Sequence, residues 1–134
     1  VVAGMVGCFG GMAIAAGLCS YVVMTREGRL GLNGPQVIEQ EAGVAELDSD
    51  DRRLVWETIG GEQRVATGMA DVLVEDDVAA IAGAVRTAFD AGPPAEHRSA
   101  QVEHYEARLA ELDTIDQLDG PALRALWKDD GGGR

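Results

Sequence analysis

No charged side chain occurs before Arg26. The run ahead of it, "VVAGMVGCFGGMAIAAGLCSYVVMT", is longer than the roughly 20 apolar residues that cross a bilayer. Arg26 and Arg29 follow it as a cytoplasmic flank would. Either this run spans a membrane or it supplies the interior of a soluble fold. Gly4, Gly7, Gly10, Gly11 and Gly17 weigh against a single long helix, since each costs about 1 kcal/mol of helix propensity relative to alanine. The pair Gly10-Gly11 is a natural break. It predicts a short buried strand over Val1 to Val6 and a small-residue helix over Met12 to Ser20. A β-rich strand over Tyr21 to Met24 follows. Strand, glycine turn, helix, strand is the order of a soluble α/β core. No basic n-region or cleavage pattern marks a signal peptide. The soluble reading is favoured. The other class is a non-enzymatic, acidic, membrane-anchored interaction protein, which would stay with membranes through a carbonate wash.

A chain of 134 residues suits one domain with a modest core. Its 46% hydrophobic content is too high for disorder. The net charge of −12 argues against nucleic-acid binding, which draws on lysine and arginine facing phosphates. Cys8 and Cys19 lie inside the apolar run and are expected to be buried, reduced thiols rather than part of a disulfide framework. No histidine near either one in sequence supports a cysteine nucleophile. The chain opens without methionine, and its first residues read as mid-strand. The expectation is a C-terminal part of a longer protein, whose gene continues upstream in frame.

Residues 26–34, "REGRLGLNG", read as turns around a short strand. Pro35 suits the first position of a helix, which Gly43 stops. A helix is predicted from about Ser49, as N-cap, to Gly60-Gly61, with Leu54, Val55 and Ile59 at helical spacing. "EQRVATG" is a short helix closed by Gly68. "ADVLV" is a strand with Val72 and Val74 on one face and Leu73 on the other. The next helix is capped by Asp76 or Asp77 and stopped by Gly92, Pro93 and Pro94. Val78, Ile81, Ala82, Val85 and Phe89 form its apolar face. A helix from about Ser99 to Leu112 presents Val102, Tyr105, Leu109 and Leu112. A last one near Pro121 presents Leu123, Leu126 and Trp127. The tail "DDGGGR" is expected to fray.

"GCFGGM" is the best candidate for chemistry. It is neither GxGxxG nor GxxxxGK[ST], so nucleotide binding is unsupported. It does place a helix start at Gly10 to Met12, where unpaired N–H groups and the helix dipole favour negative charge. With no side chain at Gly10 or Gly11 a ligand oxygen can approach the backbone, as an oxyanion hole requires. A packing turn explains the same glycines, and on pattern alone it is the stronger reading. The acidic run Glu39, Glu41, Glu46, Asp48, Asp50, Asp51 lacks calcium-loop spacing and reads as a solvated face. His97 and His104 read as surface residues. Glu39 and Gln40 could act in catalysis or simply cap and pack.

The segments "VGCFGGM", "EGRLGLNGPQVIEQ" and "DRRLVWETIGGEQRVATGMADVLVEDD" resemble the carboxyltransferase branch of the crotonase-like superfamily. Within it they are most similar to the β subunits of biotin-independent malonate decarboxylases. The GxxGPxVIEQ element, Gly31 to Gln40, is shared with acetyl-CoA carboxylase β subunits. "SDDRRLVW" and "GGEQRVATG" point to the malonate decarboxylases. The resemblance covers Val1 to Asp77, and more loosely runs to about Leu112. It implies an α/β fold: a partial crotonase-like (ClpP/crotonase) spiral of ββα units followed by C-terminal helices. The implied division is 1–92 as the C-terminal half of the carboxyltransferase domain, 93–128 as peripheral helices and 129–134 as a disordered tail.

Matched position by position, the resemblance puts a backbone oxyanion donor at the Gly11 N–H, flanked by Gly10 and Met12. It puts substrate contacts at Phe9, Gly34 and Pro35. A second donor would come from an N-terminal half. Enoyl hydratases of the superfamily carry two glutamates where this sequence has Ile14 and Gly34, so hydratase chemistry is disfavoured. The implied reaction is loss of CO2 from a malonyl thioester, with Val6, Phe9 and Ile14 as an apolar wall against water. The implied substrate rides on a CoA-like (phosphoribosyl-dephospho-CoA) arm of an acyl carrier subunit. No metal or directly bound cofactor is implied. The implied partners are a homologous γ subunit, the acyl carrier and a CoA-transferase-type acyl transferase, in the cytoplasm. A biotin-dependent acyl-CoA carboxylase β subunit is the alternative, and neighbouring genes would separate the two. The chain alone is expected to fold poorly and to be inactive.

Overall fold

The computed structural model describes residues 1–112 and 118–128. Its central strand, β3 (Val23–Thr25), is buried along its whole length, as befits an apolar run flanked on both sides by parallel neighbours. β1 (Val2–Ala3) pairs parallel on one side of it, with Val2 opposite Val23 and Ala3 opposite Met24. β5 (Val72–Val74) pairs parallel on the other, with Met24 opposite Leu73. A second, two-stranded parallel ribbon joins β2 (Gly7–Cys8) to β4 (Arg29–Leu30). Parallel pairs need crossovers, and helices lie along them. α1 (Gly11–Gly17) lies between β2 and β3. α2 (Pro35–Ala42), α3 (Arg52–Ile59) and α4 (Gly61–Ala66) lie between β4 and β5. The chain is therefore mixed α/β with parallel strands, as expected.

The opening run breaks earlier than predicted. Instead of one strand over Val1 to Val6, β1 ends at Ala3, and Met5 and Val6 are exposed before β2 begins. The turn at Gly28 is the reason. A Cβ there would collide with the Ala3 and Gly4 carbonyl oxygens, so the chain passes close over the end of β1 and diverts it to the second ribbon. α1 ends at Gly17 rather than Ser20, and the following strand starts at Val23 rather than Tyr21. The Val22 N–H is taken out of the ladder by Asp71 Oδ2, at 2.7 Å. Cys8 and Cys19 are free thiols, half-buried rather than buried. Among the described residues no helix is long and apolar enough to cross a membrane.

α2 starts at Pro35 and is stopped at Gly43, as the sequence predicts. α3 is capped by Asp51 rather than Ser49. The Asp51 carboxylate accepts from Leu54 N, while Ser49 N is spent on Glu39 Oε2. α5 (Val78–Ala91) is capped by Asp77, which accepts from the N–H groups of Ala79 and Ala80. Its expected apolar face is only partly used. Ile81, Ala82 and Val85 are half-buried, whereas Val78 and Phe89 stand in solvent. Length accounts for this: fourteen residues of helix run about 21 Å, and a three-residue strand about 10 Å. The helix overhangs its sheet at both ends.

The C-terminal part docks through polar clips. Arg98 opens a 3-10 turn (Arg98–Gln101) and reaches Asp71 Oδ2 at 2.5 Å and the Met69 carbonyl at 2.9 Å. α6 (Val102–Ala110) stacks Tyr105 on Trp127 of α7 (Gly120–Lys128), with ring centroids 6.2 Å apart. Arg124 of α7 donates to the buried Gln63 Oε1 at 2.9 Å, tying α7 to α4. The predicted helix at 99–112 is thus a 3-10 turn and an α-helix in succession. Residues 129–134 lie outside the described residues.

Candidate active site at the Gly10 turn

β2 delivers the chain to Phe9 and then to Gly10, whose φ of 62° and ψ of −136° lie where L side chains are strained. The turn is held on both sides. The Gly10 N–H donates to the Leu32 carbonyl at 2.8 Å, and the Gly10 carbonyl accepts from Ala13 N and Ile14 N. Gly11 and Met12 are the first two residues of α1, so no carbonyl precedes their N–H groups in the helix to accept from them. A Cβ at Gly10 or Gly11 would meet nothing within 4 Å. The helix start is therefore open, and a ligand oxygen has a path to it. Conformation demands glycine at Gly10, while Gly11 is the position where a side chain would fill free space.

Phe9 and Gly34 lie together beside the turn. The Phe9 ring lies 3.4 Å from where a Gly34 Cβ would be, and Pro35 behind it is buried. The apolar wall is not closed in this chain. Val6 is 74% exposed, because it sits in the break between β1 and β2, and Ile14 is 57% exposed on the outer side of α1. Glu39 is accounted for by structure. Its carboxylate accepts from Ser49, whose hydroxyl and then backbone N–H hold it below the usual glutamate range. His97 accepts from Ser99 N at the 3-10 turn, and His104 lies edge-on to Tyr105. Among the described residues no three His, Cys, Asp or Glu side chains group as metal ligands.

Two residues that shape the site escaped the sequence reading. Arg29 on β4 is stacked between the rings of Phe9 and Trp56, its guanidinium carbon 5.9 Å and 5.0 Å from their centroids. Its Nε is buried without a hydrogen-bond partner. Arg64 on α4 donates Nε–H to the Leu30 carbonyl at 2.7 Å. Burial lowers its pKa, but arginine titrates so high that it stays charged at neutral pH. A cation inside the apolar strand "RLGL" was the available signal for Arg29. Arg64 contacts a residue 34 positions away, and no local pattern announces that.

The fold and site define an α/β chain in which a glycine turn leaves a helix start open beside an aromatic ring. Proteins of known kind sharpen this. The chain is similar to a chain of a Pseudomonas malonate decarboxylase hetero-tetramer solved in complex with malonate. The identity is 56% and the TM-score 0.88, over 93% of this chain and 46% of that one. It is also similar to a chain of the Pseudomonas malonate decarboxylase MdcD–MdcE hetero-dimer. There the identity is 53% and the TM-score 0.70, over 82% of this chain and 44% of that one. A curated relative, the malonyl-S-ACP:biotin-protein carboxyltransferase MADC of Malonomonas rubra, is 47% identical over 73 residues. That match is 54% of this chain and 23% of the relative. The chain thus spans under half the length of the proteins it matches. No protein-family model matches it. The resemblance to malonate decarboxylase subunits is borne out.

Proposed function

We propose that this chain is part of the β subunit of a malonate decarboxylase and works in decarboxylating a malonyl thioester carried on an acyl carrier subunit. The observation that carries the reading is the open start of α1 at Gly11. It occurs in a chain that matches a malonate decarboxylase structure over 93% of its length. In this reading the fold is part of a crotonase-like spiral, with residues 1–92 in the carboxyltransferase domain and 93–128 as peripheral helices. Loss of CO2 leaves the enolate of an acetyl thioester, and negative charge builds on the thioester oxygen. The Gly11 N–H donates to that oxygen, with the first-turn dipole behind it. One such donor is worth roughly 3 kcal/mol, about a hundredfold in rate. Gly10 and Met12 shape the turn, and Phe9, Gly34 and Pro35 form the wall beside the acyl group. The second oxyanion donor comes from elsewhere in the subunit. The partners are a homologous γ subunit, the acyl carrier with its phosphoribosyl-dephospho-CoA arm, and the acyl transferase, in the cytoplasm. Hetero-oligomeric relatives and the bare apolar residues on α1 support a site completed by other polypeptide.

One observation favours a second reading. The Malonomonas rubra relative is a carboxyltransferase to a biotin protein. The same enolate would form, but the carboxyl group would pass to biotin instead of leaving as CO2. The test is CO2 release from the malonyl-loaded acyl carrier by the reconstituted complex, with and without avidin. Release that avidin leaves unchanged supports the decarboxylase. Turnover that depends on an added biotin protein establishes the transferase.

A further inference from the structure

The peptide between Leu30 and Gly31 is gripped at both ends. Its N–H donates to the Cys8 carbonyl at 3.2 Å, and its C=O accepts Arg64 Nε–H at 2.7 Å. Cys8 is the last residue of β2, two before Gly10. One residue beyond the gripped peptide, the Leu32 carbonyl accepts from Gly10 N at 2.8 Å. A short path of main-chain hydrogen bonds therefore runs from the Arg64 guanidinium to the turn that aims the Gly11 N–H. Arg64 itself is well anchored. Its own N–H donates to the Gly60 carbonyl, its carbonyl accepts from Ala70 N, and the neighbouring Gln63 is buried under Arg124. The guanidinium passes close over Gly31, where a Cβ would lie at ordinary contact distance, 3.7 Å from Arg64 Nη2 and 3.4 Å from Ile59 Cγ2. No carboxylate among the described residues pairs with Arg64; the Leu30 carbonyl is its acceptor.

We propose that Arg64 is a positioning residue for the oxyanion turn: by fixing the Leu30–Gly31 peptide it sets where the Gly10 and Gly11 N–H groups point. This rests on the reading of Gly11 as the oxyanion donor. A preorganised donor loses its value when it is misplaced, and a displacement of about 1 Å can cost a hundredfold in rate. The neutral side chain of Arg64→Met fills the space but cannot donate. The ammonium of Arg64→Lys keeps the charge and can donate, but without the planar geometry.

The test uses the full-length subunit in its reconstituted complex, with Glu62→Gln on the exposed side of the same helix as control. Two readouts are needed. The first is amide hydrogen exchange at Gly10 and across residues 7–14, compared with residues 78–91 of α5. Arg64→Met should speed exchange at the turn by about tenfold or more and leave α5 within about twofold. The second is steady-state decarboxylation, where kcat should fall by about tenfold or more with KM within about twofold, and Arg64→Lys should fall between. Unchanged exchange at Gly10, or an equal rise in α5, would overturn the proposal. So would wild-type kcat in Arg64→Met. Should Arg64→Met fail to assemble, Arg64→Lys carries the same comparison. A wild-type complex that releases no CO2 would instead sink the functional reading, and the exchange data would still decide whether Arg64 holds the turn.

Discussion

Met24 and Val23 are neighbours on the central strand and face opposite ways. Met24 is completely buried, in a cluster with Ala16, Leu30 and Ala70. Val23 faces an apolar groove of about 420 Å³ whose lining includes Val2, Tyr21, Val85 and Phe89. On the Met24 side α4 and the β2–β4 ribbon finish the core, and polar clips such as Arg64 to Leu30 and Arg124 to Gln63 lock it. On the Val23 side α5 overhangs a short sheet and leaves Phe89 82% exposed. Met12 and Ile14 on α1, and Leu18 at its C-cap, are bare as well. The finished side supports the Gly10 turn from behind. The unfinished side is the kind of surface that other polypeptide covers.

The largest effect concerns the chain by itself. Expressed alone, it should melt broadly and bind a hydrophobic dye, and a sharp cooperative transition would show that the unfinished side costs it nothing. Next come matched truncations in the full-length subunit, read by urea denaturation. Met24→Ala should cost about 3 kcal/mol from lost burial and a cavity. The Asp71–Arg98 clip comes third. Its side chains are only 13% and 10% exposed, so Arg98→Met removes a nearly buried ion pair together with the Arg98 bond to the Met69 carbonyl. About 2 kcal/mol should be lost, less than for a fully buried pair because Val22 N still donates to Asp71. The smallest effect is Phe89→Ala in the isolated chain, where the ring is 82% exposed and the broad melt should not shift. A shift there as large as that of Met24→Ala in the same chain would mean that the two sides do not differ.

Much of this arrangement was legible in the residues because the signals were local. Pro35 and Gly43 bound α2, Asp77 caps α5, and Gly10-Gly11 breaks the apolar run. What failed depended on distant partners. Val1 to Val6 reads as one strand until Gly28 crosses it, and Ser49 reads as a cap until Glu39 takes its N–H. The α5 stripe is regular over fourteen residues, yet the length of its sheet decides how much of it is buried. The candidate site divides the same way. Gly10 and Gly11 stand out as glycines at a helix start, while Phe9 and Gly34 are named only by the family resemblance. Arg29 and Arg64 act only through contacts that the fold creates.

In the proposed mechanism the Gly11 N–H meets the developing enolate oxygen. The most direct measurement is the decarboxylation rate of Gly11→Val in the assembled complex, beside a circular dichroism melt of the same sample. The open space at Gly11 takes a Cβ without a clash in this chain, and the methyl groups of valine would block the approach to the N–H. The melt should be unchanged and the rate lower by about tenfold or more. Wild-type turnover by a folded Gly11→Val complex would contradict that mechanism.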